Sequence, residues 1–565
     1  MKKRVLARSI SMVLVCIIFF VMVGCGKESG DPVQGDNEKD PGSAVKETEE
    51  PKEDEKGFDP MAKYDDLVEI SMYGNVSPTM NFDNGETFED NLWSKLYEDE
   101  LNIKVVYKWI VNEDQYEQKL NVSIASKDLP DIMSFNVSDK NFALLSENDQ
   151  LQDLKDVYDK YATGFTKQLI FDASNVAIES GTVNGQLLGI PNTNATIEAA
   201  NILWIRQDWL DATGENAPTT MDELFALMKT FKEADLDGHG ADNSWGFGMN
   251  KDILTIKGFF SGYGAQLSQW METEDGSIVY GSIQPEVRDA LEALQKLYND
   301  EMLDKEFAVK DSTTMTENIN AGKTGIYYGG HASPLWPLIS SRENNPDVDW
   351  TPFQLPTVNG DLVEQYVSIP VLSYYSVTKD CENPEALVKM MNLFTEKCFS
   401  VDTDPLYFTT SEKYREPFKH ARVQTWPVTK NIDIYKRILE ATETGDMSII
   451  ENHQETSDMY SFVKKYEETG VEGWDYTRVF GIGGAEAIMS EYLAQDQIKY
   501  NAFYGSPTET MSGKLSSLNK QENEIFTQII MGDADISKFD EFVANWKKLG
   551  GDQITEEVNE WKSQQ

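Results

Sequence analysis

Segments with the patterns of strands and helices alternate from about residue 68 onwards, and this alternation limits the possible folds more than any other feature of the chain. Residues 68–73 and 104–109 are rich in the β-branched and aromatic residues of strands, and the amphipathic stretch 88–100 lies between them. Residues 126–133 follow a helix and lead into a third short strand. This order predicts an α/β fold that binds ligands where strands end and helices begin.

The apolar part of the chain is too long for a single hydrophobic core. About 500 residues follow residue 66, and the whole chain is 40% hydrophobic and 11% aromatic. Single cores stop growing at roughly 250–300 residues. We therefore expect at least two lobes.

The first 25 residues have the order of a secretory signal, because basic residues precede an apolar run over residues 12–23. That run is shorter than the roughly 20 apolar residues of a membrane span. It ends in Met22-Val23-Gly24-Cys25, which resembles a bacterial lipobox with valine in place of the commoner alanine or serine. We expect a signal peptide over residues 1–24 and a lipid anchor on Cys25. An uncleaved signal anchor with an incidental cysteine is the alternative.

Residues 25–66 have the composition of a tether. Almost no apolar residue occurs after Cys25 until Phe58, and charged residues dominate the stretch. Such a segment cannot bury enough surface to offset its ordering entropy. A charged linker of this kind holds a folded body away from a membrane without fixing its orientation.

The charge of the chain excludes one class of partner. The formal net charge is −46 and the pI is near 4.4. Binding of nucleic acid needs clustered Lys and Arg, so we expect no nucleic-acid partner. Acidity of this size is typical of proteins that stay soluble outside the cell.

Two cysteines, Cys381 and Cys398, follow the leader and its anchor. The residues between them predict one helix over 384–397 with an apolar stripe. A helix of this length spans roughly 22 Å, whereas the Cα atoms of a disulfide lie within about 7 Å. We expect these two cysteines not to pair with each other.

Six short motifs follow one another in a fixed order. They are Ala-Ser-Lys-Asp-Leu-Pro-Asp-Ile at 125–132, Gly-Gln-Leu-Leu-Gly-Ile-Pro at 185–191, Leu-Trp-Ile-Arg-Gln-Asp-Trp-Leu-Asp at 203–211, Pro-Thr-Thr-Met-Asp-Glu-Leu at 218–224, Tyr-Gly-Ser-Pro-Thr-Glu-Thr-Met at 504–511 and Phe-Asp-Glu-Phe-Val-Ala-Asn-Trp-Lys-Lys-Leu-Gly-Gly-Asp at 539–552. In this order they resemble the family 1 extracellular solute-binding proteins. They are most similar to the large lipoprotein branch found in sugar-importing Gram-positive bacteria. The resemblance runs from about residue 68 to Trp561.

The resemblance implies a two-lobed, periplasmic-binding-protein-like α/β fold of type II, with discontinuous lobes, a hinge and a ligand cleft between the lobes. Lobe 1 would comprise residues 67–194 and about 353–400, and lobe 2 about 195–352 and 401–565. Closure of the lobes around the ligand would be a hinge motion. The chain would cross between the lobes near residues 191–205, 353–356 and 400.

The same resemblance implies a binding protein and not an enzyme. We expect a monomer on the extracellular face of a Gram-positive cell membrane that captures a sugar or oligosaccharide and delivers it to the permease subunits of an ABC transporter, with no cofactor required. The four histidines show no catalytic spacing, and 96 carboxylates make chance acid pairs inevitable. The alternatives are a secreted glycoside-processing enzyme and a lipoprotein that senses its ligand and signals without transport.

Aromatic rings fit the weakly polar faces of sugars, and ring hydroxyls need forked donors and acceptors. The family pattern places several such residues on the cleft: Phe135 and Asn136 in the first lobe, Trp204, Arg206, Trp270 and Trp336 in the second, and Tyr374 and Tyr375 near the return of the chain. Ordinary core packing is the alternative for each tryptophan. For Trp546 and Trp561 we favour core packing.

Residues 235–244 resemble the start of an EF-hand-type calcium loop. Asp235 and Asp237 stand at its positions 1 and 3, Asn243 stands at position 9, and a glycine stands at position 6. His239 replaces the usual oxygen ligand at position 5, which weakens the site because calcium prefers hard oxygen ligands. In the family this loop has a structural role, so a Ca²⁺ held here would be structural. A calcium-free Asp-Gly turn that ends a helix is the alternative.

Overall fold

The computed structural model describes residues 58–564 except 79, 83–84, 172–174, 237, 239, 241–243, 402–405 and 408–415. The predicted signal peptide, Cys25 and the linker up to residue 57 lie outside the described residues, as do Asp237, His239 and Asn243. In the part of the chain that is described, none of the helices is long and apolar enough to cross a membrane.

The strands are, in chain order, β1 Val68–Val76, β2 Ile103–Asn112, β3 Ile132–Asn136, β4 Thr182–Val183, β5 Gln186–Leu187, β6 Ile190–Thr193, β7 Ile202–Arg206, β8 Trp270–Glu272, β9 Ile278–Tyr280, β10 Ile326–Gly329, β11 Trp350–Phe353, β12 Gln365–Val367, β13 Val371–Val377 and β14 Ile498–Tyr500. The α-helices are α1 Leu92–Leu96, α2 Glu113–Ala125, α3 Lys140–Glu147, α4 Lys155–Tyr161, α5 Gly164–Ile170, α6 Val176–Ser180, α7 Gln207–Thr213, α8 Met221–Ala234, α9 Lys257–Ser261, α10 Pro285–Asn299, α11 Ser312–Asn320, α12 Ile339–Asn344, α13 Glu385–Phe399, α14 Lys430–Thr444, α15 Ser448–Glu451, α16 Gln454–Thr469, α17 Trp474–Phe480, α18 Ala485–Ala494, α19 Glu509–Ile530, α20 Lys538–Trp546 and α21 Asp552–Lys562.

The first sheet has five strands in the order β2-β1-β3-β13-β6. Strand β1 is parallel to β2 and β3, whereas β13 is antiparallel to β3 and β6. The predicted helix between β1 and β2 begins at Leu92, because the side chain of Asn91 accepts hydrogen bonds from the amides of Trp93 and Ser94. The predicted strand–helix–strand unit and the third strand are confirmed.

The second sheet has three strands, with β7 between β10 and β11 and antiparallel to both. All five residues of β7, Ile202–Arg206, are buried. A half-exposed strand would alternate buried and exposed side chains. Both faces of β7 are therefore covered.

Buried apolar side chains form two large cores. The first core draws on residues 70–190 and 369–423, and the second core draws on residues 197–367 and 432–558. The chain therefore passes from one core to the other three times, and each core is discontinuous in sequence. We call the residues around these passages, 193–201, 365–370 and 425–431, the connecting segments.

Two of the three expected crossing positions are wrong. Leu355 packs in the second core, where its amide donates to the hydroxyl of Tyr492 over 2.9 Å, so the chain has not crossed at 353–356. Cys398 packs in the first core, and the chain leaves that core only after Val423. The proposed lobe boundaries move accordingly to 367–369 and 423–432.

The predicted helix between the two cysteines is present as α13, which spans 15 residues without a break. Its apolar stripe packs in the first core. Cys381 and Cys398 are both free and buried.

A carboxyl group is buried in the second core on α19. Glu522 is 6% exposed, and Tyr280 donates its hydroxyl to Oε2 of this residue over 3.4 Å. Tyr280 in turn stacks on Trp546 with ring centroids 5.1 Å apart. Burial raises the pKa of Glu522 to about 7, because a carboxylate loses hydration in the core. The folded chain therefore holds a proton on Glu522 more tightly than the unfolded chain does.

Glu522→Gln should remove a pH-dependent loss of stability. The folded-state pKa of Glu522, about 7, exceeds the ordinary value of 4.5. The stabilisation that protonated Glu522 contributes to the fold is therefore complete below pH 4.5 and is lost as the pH rises through 7. At about 1.4 kcal/mol per pKa unit, the wild-type protein should lose up to about 3 kcal/mol of unfolding free energy from this group. Urea unfolding at pH 5 and pH 8 measures the difference, with Glu524→Gln, exposed on the same helix, as the control. Parallel stability curves for the wild type and Glu522→Gln would contradict this assignment.

Candidate functional site

A cavity of about 490 Å³ opens at the edge of the first sheet where β1 and β3 end. Open α/β sheets bind ligands at the carboxyl ends of their strands. The polar and aromatic residues of its wall are Tyr73, Asn75, Glu113, Tyr116, Glu117, Ser134, Asn136, Asp139, Asn192, Ser373, Tyr375, Lys419, Arg422 and Gln424.

Three aromatic rings form a ladder beside this cavity. Trp109 stacks on Tyr73 with ring centroids 4.2 Å apart, and Tyr116 meets Trp109 edge-on at 5.5 Å. Tyr73 and Trp109 are neighbours because they are paired in the register of β1 and β2. Tyr73 and Tyr116 line the cavity, so the aromatic ladder (Tyr73, Trp109, Tyr116) offers ring surface to a bound molecule. These three residues are not among the ligand residues predicted from the sequence.

An amide group in the cavity wall has unused hydrogen-bonding capacity. The side-chain nitrogen of Asn192 donates to the hydroxyl of Ser373 over 3.4 Å. Its Oδ1 atom is buried and has no hydrogen-bond partner among the described residues. Buried polar atoms are normally paired, so this oxygen is an acceptor suited to a ligand hydroxyl.

The cavity wall carries charges of both signs. Arg422 donates from Nε and Nη2 to the carbonyl oxygen of His420, over 2.9 and 2.6 Å, and its guanidinium lies 4.0 Å from the ring centre of Phe88. These contacts fix the plane of the guanidinium. Asp139 accepts from the amide of Asn141 over 2.7 Å, and burial raises the pKa of Asp139. A molecule with many donors and acceptors finds partners for both on this wall.

Two of the predicted ligand residues, Asn136 and Tyr375, line the cavity. The hydroxyl of Tyr375 accepts from the amide of Gln424 over 3.0 Å, and burial raises the pKa of Tyr375 to about 12. Phe135 is only 1% exposed, and its ring centroid lies 5.9 Å from that of Phe142. The prediction for Phe135 is wrong because successive side chains of a strand point to opposite faces, and Asn136 takes the cavity side. Tyr374 likewise stacks on the ring of Phe142.

Trp204 and Arg206 lie in the second core instead of on the cleft. Trp204 is 0% exposed, and its Nε1 donates to the carbonyl oxygen of Gly330 over 3.2 Å. The guanidinium of Arg206 is buried against the carboxylate of Asp208 and lies 4.8 Å from the ring centre of Trp209. Their prediction as ligand residues is corrected, since both faces of strand β7 are covered.

Trp270 also lies in the second core. It is 5% exposed, with its ring centroid 5.1 Å from that of Tyr280 and 6.3 Å from that of Phe503. The prediction that Trp270 lines the cleft is therefore wrong as well. Trp336, in contrast, is 64% exposed and is not part of the cavity wall. A ligand contact by Trp336 remains a prediction.

A second cavity, of about 310 Å³, lies between α5 and the end of α13 on one side and α14 and α16 on the other. Its charged lining includes Lys430, Lys436, Arg437, Asp433 and Glu440. None of the predicted ligand residues lines it, and it is not at the carboxyl edge of a sheet. Of these two, the cavity at the ends of β1 and β3 is therefore the better candidate site.

One of the predicted calcium ligands, Asp235, belongs to the described residues. It ends α8 in the left-handed conformation, with φ of 46°, and its Oδ1 accepts from the amide of Gly240 over 2.8 Å. This bond closes a turn at the end of α8. Calcium binding by the 235–244 loop stays a proposal.

Two discontinuous cores with a polar cavity at the strand ends define a two-lobed binding protein. Over residues 93–395 the chain matches the family described as bacterial extracellular solute-binding protein. The match covers more than half of the chain, which belongs to this family. The predicted family resemblance and the two-lobed fold class are confirmed.

Individual relatives support this assignment. The chain is 24% identical over 476 residues to lipoprotein LipO of Bacillus subtilis (strain 168), covering 81% of this chain and 85% of that protein. It is 24% identical over 464 residues to the polygalacturonan/rhamnogalacturonan-binding protein YtcQ of the same strain, covering 79% and 82%. The structure of an HMO-binding, ABC-transporter-associated solute-binding protein from Bifidobacterium longum infantis shares the fold, with a TM-score of 0.55, 13% identity and coverage of 87% and 98%.

Trp204→Ala should behave as a core truncation. Because the ring is fully buried on a central strand, its loss should cost about 3–5 kcal/mol of unfolding free energy. Trp336→Ala is the matched control, since its ring is 64% exposed, and it should change stability by no more than about 0.5 kcal/mol. Denaturant midpoints of the two variants test the expectation. Similar midpoints would show that Trp204 does not hold the second core together.

Proposed function

We propose that the protein captures an oligosaccharide in the 490 Å³ cavity and delivers it to the permease of an ABC importer. The observation that carries this proposal is the composition of the cavity wall, where the aromatic ladder stands beside amide and guanidinium groups. A sugar presents weakly polar ring faces together with hydroxyl donors and acceptors, so it needs both kinds of partner. The name of YtcQ, a polygalacturonan/rhamnogalacturonan-binding protein, favours a carbohydrate for this chain too.

Binding in this cavity would be coupled to closure of the lobes. Asn192 precedes the first connecting segment, Ser373 follows the second, and Gln424 precedes the third, and all three residues line the cavity. A ligand that contacts this wall therefore lies beside the chain segments about which the lobes would rotate. This position favours a hinge closure that traps the ligand between the lobes.

Attachment to the membrane would use the leader and linker. Cys25 would carry the lipid, and the acidic stretch up to residue 66 would let the folded body reach its permease on the extracellular face. The 235–244 loop would hold a structural calcium ion through Asp235 and its neighbours. Because a binding protein needs no chemical step, we propose no catalytic residue.

Tyr116→Ala should weaken binding more than it weakens folding. A titration of the full-length protein with neutral oligosaccharides, oligogalacturonides and short peptides first identifies the ligand class. Truncation of an aromatic ring that a ligand covers typically costs 2 kcal/mol or more, which is roughly thirtyfold in affinity. Tyr460→Ala, half-buried on α16 outside the cavity wall, is the matched control and should keep wild-type affinity. Unchanged affinity in Tyr116→Ala would place the ligand elsewhere, and hydrolysis of the saccharide would indicate an enzyme.

Cys25→Ala should leave the precursor without its lipid. Labelling with a radioactive fatty acid in the native host measures this directly, and retention in the membrane fraction through diacylglycerol should disappear. Cys16→Ala, inside the apolar run of the leader, is the control and should be labelled normally. Undiminished labelling of Cys25→Ala would refute the proposed anchor.

A further inference from the structure

Three side chains from distant parts of the sequence meet at the first connecting segment. Glu198 lies in a 3-10 turn over Thr196–Ala199, His331 follows β10, and Glu486 lies in the first turn of α18. His331 Nε2 is 3.3 Å from Glu198 Oε2, and His331 Nδ1 is 2.5 Å from Glu486 Oε1. One ligand atom from each residue lies within 4.8 Å of the other two.

This cluster is largely buried, and two of its oxygens lack hydrogen-bond partners among the described residues. The Glu486 side chain is 0% exposed, Glu198 12% and His331 18%. Oε1 of Glu198 and Oε2 of Glu486 are buried, and neither has a hydrogen-bond partner among the described residues. A buried carboxylate oxygen without a partner loses its hydration and gains nothing in return. Both carboxylates therefore have an oxygen available for a further ligand.

The charges of the cluster do not balance within the protein. Two carboxylates face one imidazole. The charge of Lys430 acts electrostatically on Glu198 and His331, but its ammonium group is already paired with the carboxylate of Glu455 over 2.5 Å. With two carboxylates in contact with one imidazole, this arrangement of groups favours a bound cation.

We propose that Glu198, His331 and Glu486 form a binding site for a divalent transition-metal ion such as Zn²⁺. One imidazole and two carboxylates suit such an ion, whereas calcium and magnesium prefer oxygen ligands alone. Three protein ligands leave a position for water. Ligands about 2.0–2.2 Å from one tetrahedral ion lie roughly 3.4 Å apart, which is close to the 3.3 Å between His331 Nε2 and Glu198 Oε2. Glu486 now faces His331 Nδ1, so it would have to turn from that nitrogen to join the other two ligands on one ion.

A neighbouring residue supports one ligand. Asn431 donates from Nδ2 to Oε2 of Glu198 over 2.9 Å, and an outer hydrogen bond of this kind fixes a carboxylate ligand. Glu198 belongs to the first connecting segment and Asn431 to the third. An ion at this site would therefore tie two connecting segments to the loop after β10 and to α18 of the second core.

Metal binding can be measured without any transport assay. The full-length protein, purified in detergent without a polyhistidine tag and stripped with EDTA, is titrated with ZnCl₂ by calorimetry in the presence of excess Ca²⁺. We expect one Zn²⁺ per chain, a higher thermal midpoint with Zn²⁺, and a visible absorption spectrum of bound Co²⁺. Glu486→Gln and His331→Gln should each weaken binding about tenfold or more, because each removes a ligand while keeping side-chain size.

The other histidines of the chain provide matched controls. His453→Gln removes a half-buried histidine beside the smaller cavity, and His239→Gln removes the one in the predicted calcium loop. Both variants should bind Zn²⁺ like the wild type. Loss of binding in either of them with retention in Glu486→Gln would assign the ion to another site. Failure of the wild-type protein to bind Zn²⁺ and raise its thermal midpoint would overturn the proposal and leave the cluster as a hydrogen-bonded network.

Discussion

The three connecting segments are hydrogen-bonded to one another between the two cores. The hydroxyls of Thr193 and Thr425, both fully buried, lie 2.9 Å apart. Asn201 and Gln365 exchange two hydrogen bonds, of 2.7 and 3.1 Å. A single bond of this kind contributes only about 1 kcal/mol, but a buried group left without its partner costs more than that. The first connecting segment is thus hydrogen-bonded to each of the other two.

Local sequence pattern determined the elements that could be predicted, and distant contacts determined the rest. The helix Glu385–Phe399 follows from its apolar stripe alone, and the first strands follow from their β-branched residues. The second crossing was misplaced because the chain beyond β11 stays with the second core. Leu355 is held there by Tyr492, 137 positions later. No local sequence pattern predicts a contact between residues so far apart in the chain.

A residue of the candidate site could be predicted from the sequence only where the alternation of side chains along a strand decides which residue faces the cavity. Asn136 reaches the cavity because it ends β3 on the open face, and Phe135 before it points into the core. For Trp204 the sequence shows an aromatic residue at a strand but not that both faces of that strand are covered. The pairing of Tyr73 with Trp109 depends on the register of two parallel strands that are separated by a helix. Aromatic residues at the carboxyl ends of β1 and β2 were the available signal for it.

The proposed ligand cavity and the proposed metal site contact the same connecting segments. Asn192 lines the cavity directly before the first segment, and Glu198 lies further along that segment. Gln424 lines the cavity directly before the third segment, and Asn431, the last residue of that segment, donates to Glu198. A ligand that rearranged these segments would move Glu198 and Asn431, and by linkage a bound ion would then change the affinity for that ligand by the same factor as the ligand changes the affinity for the ion.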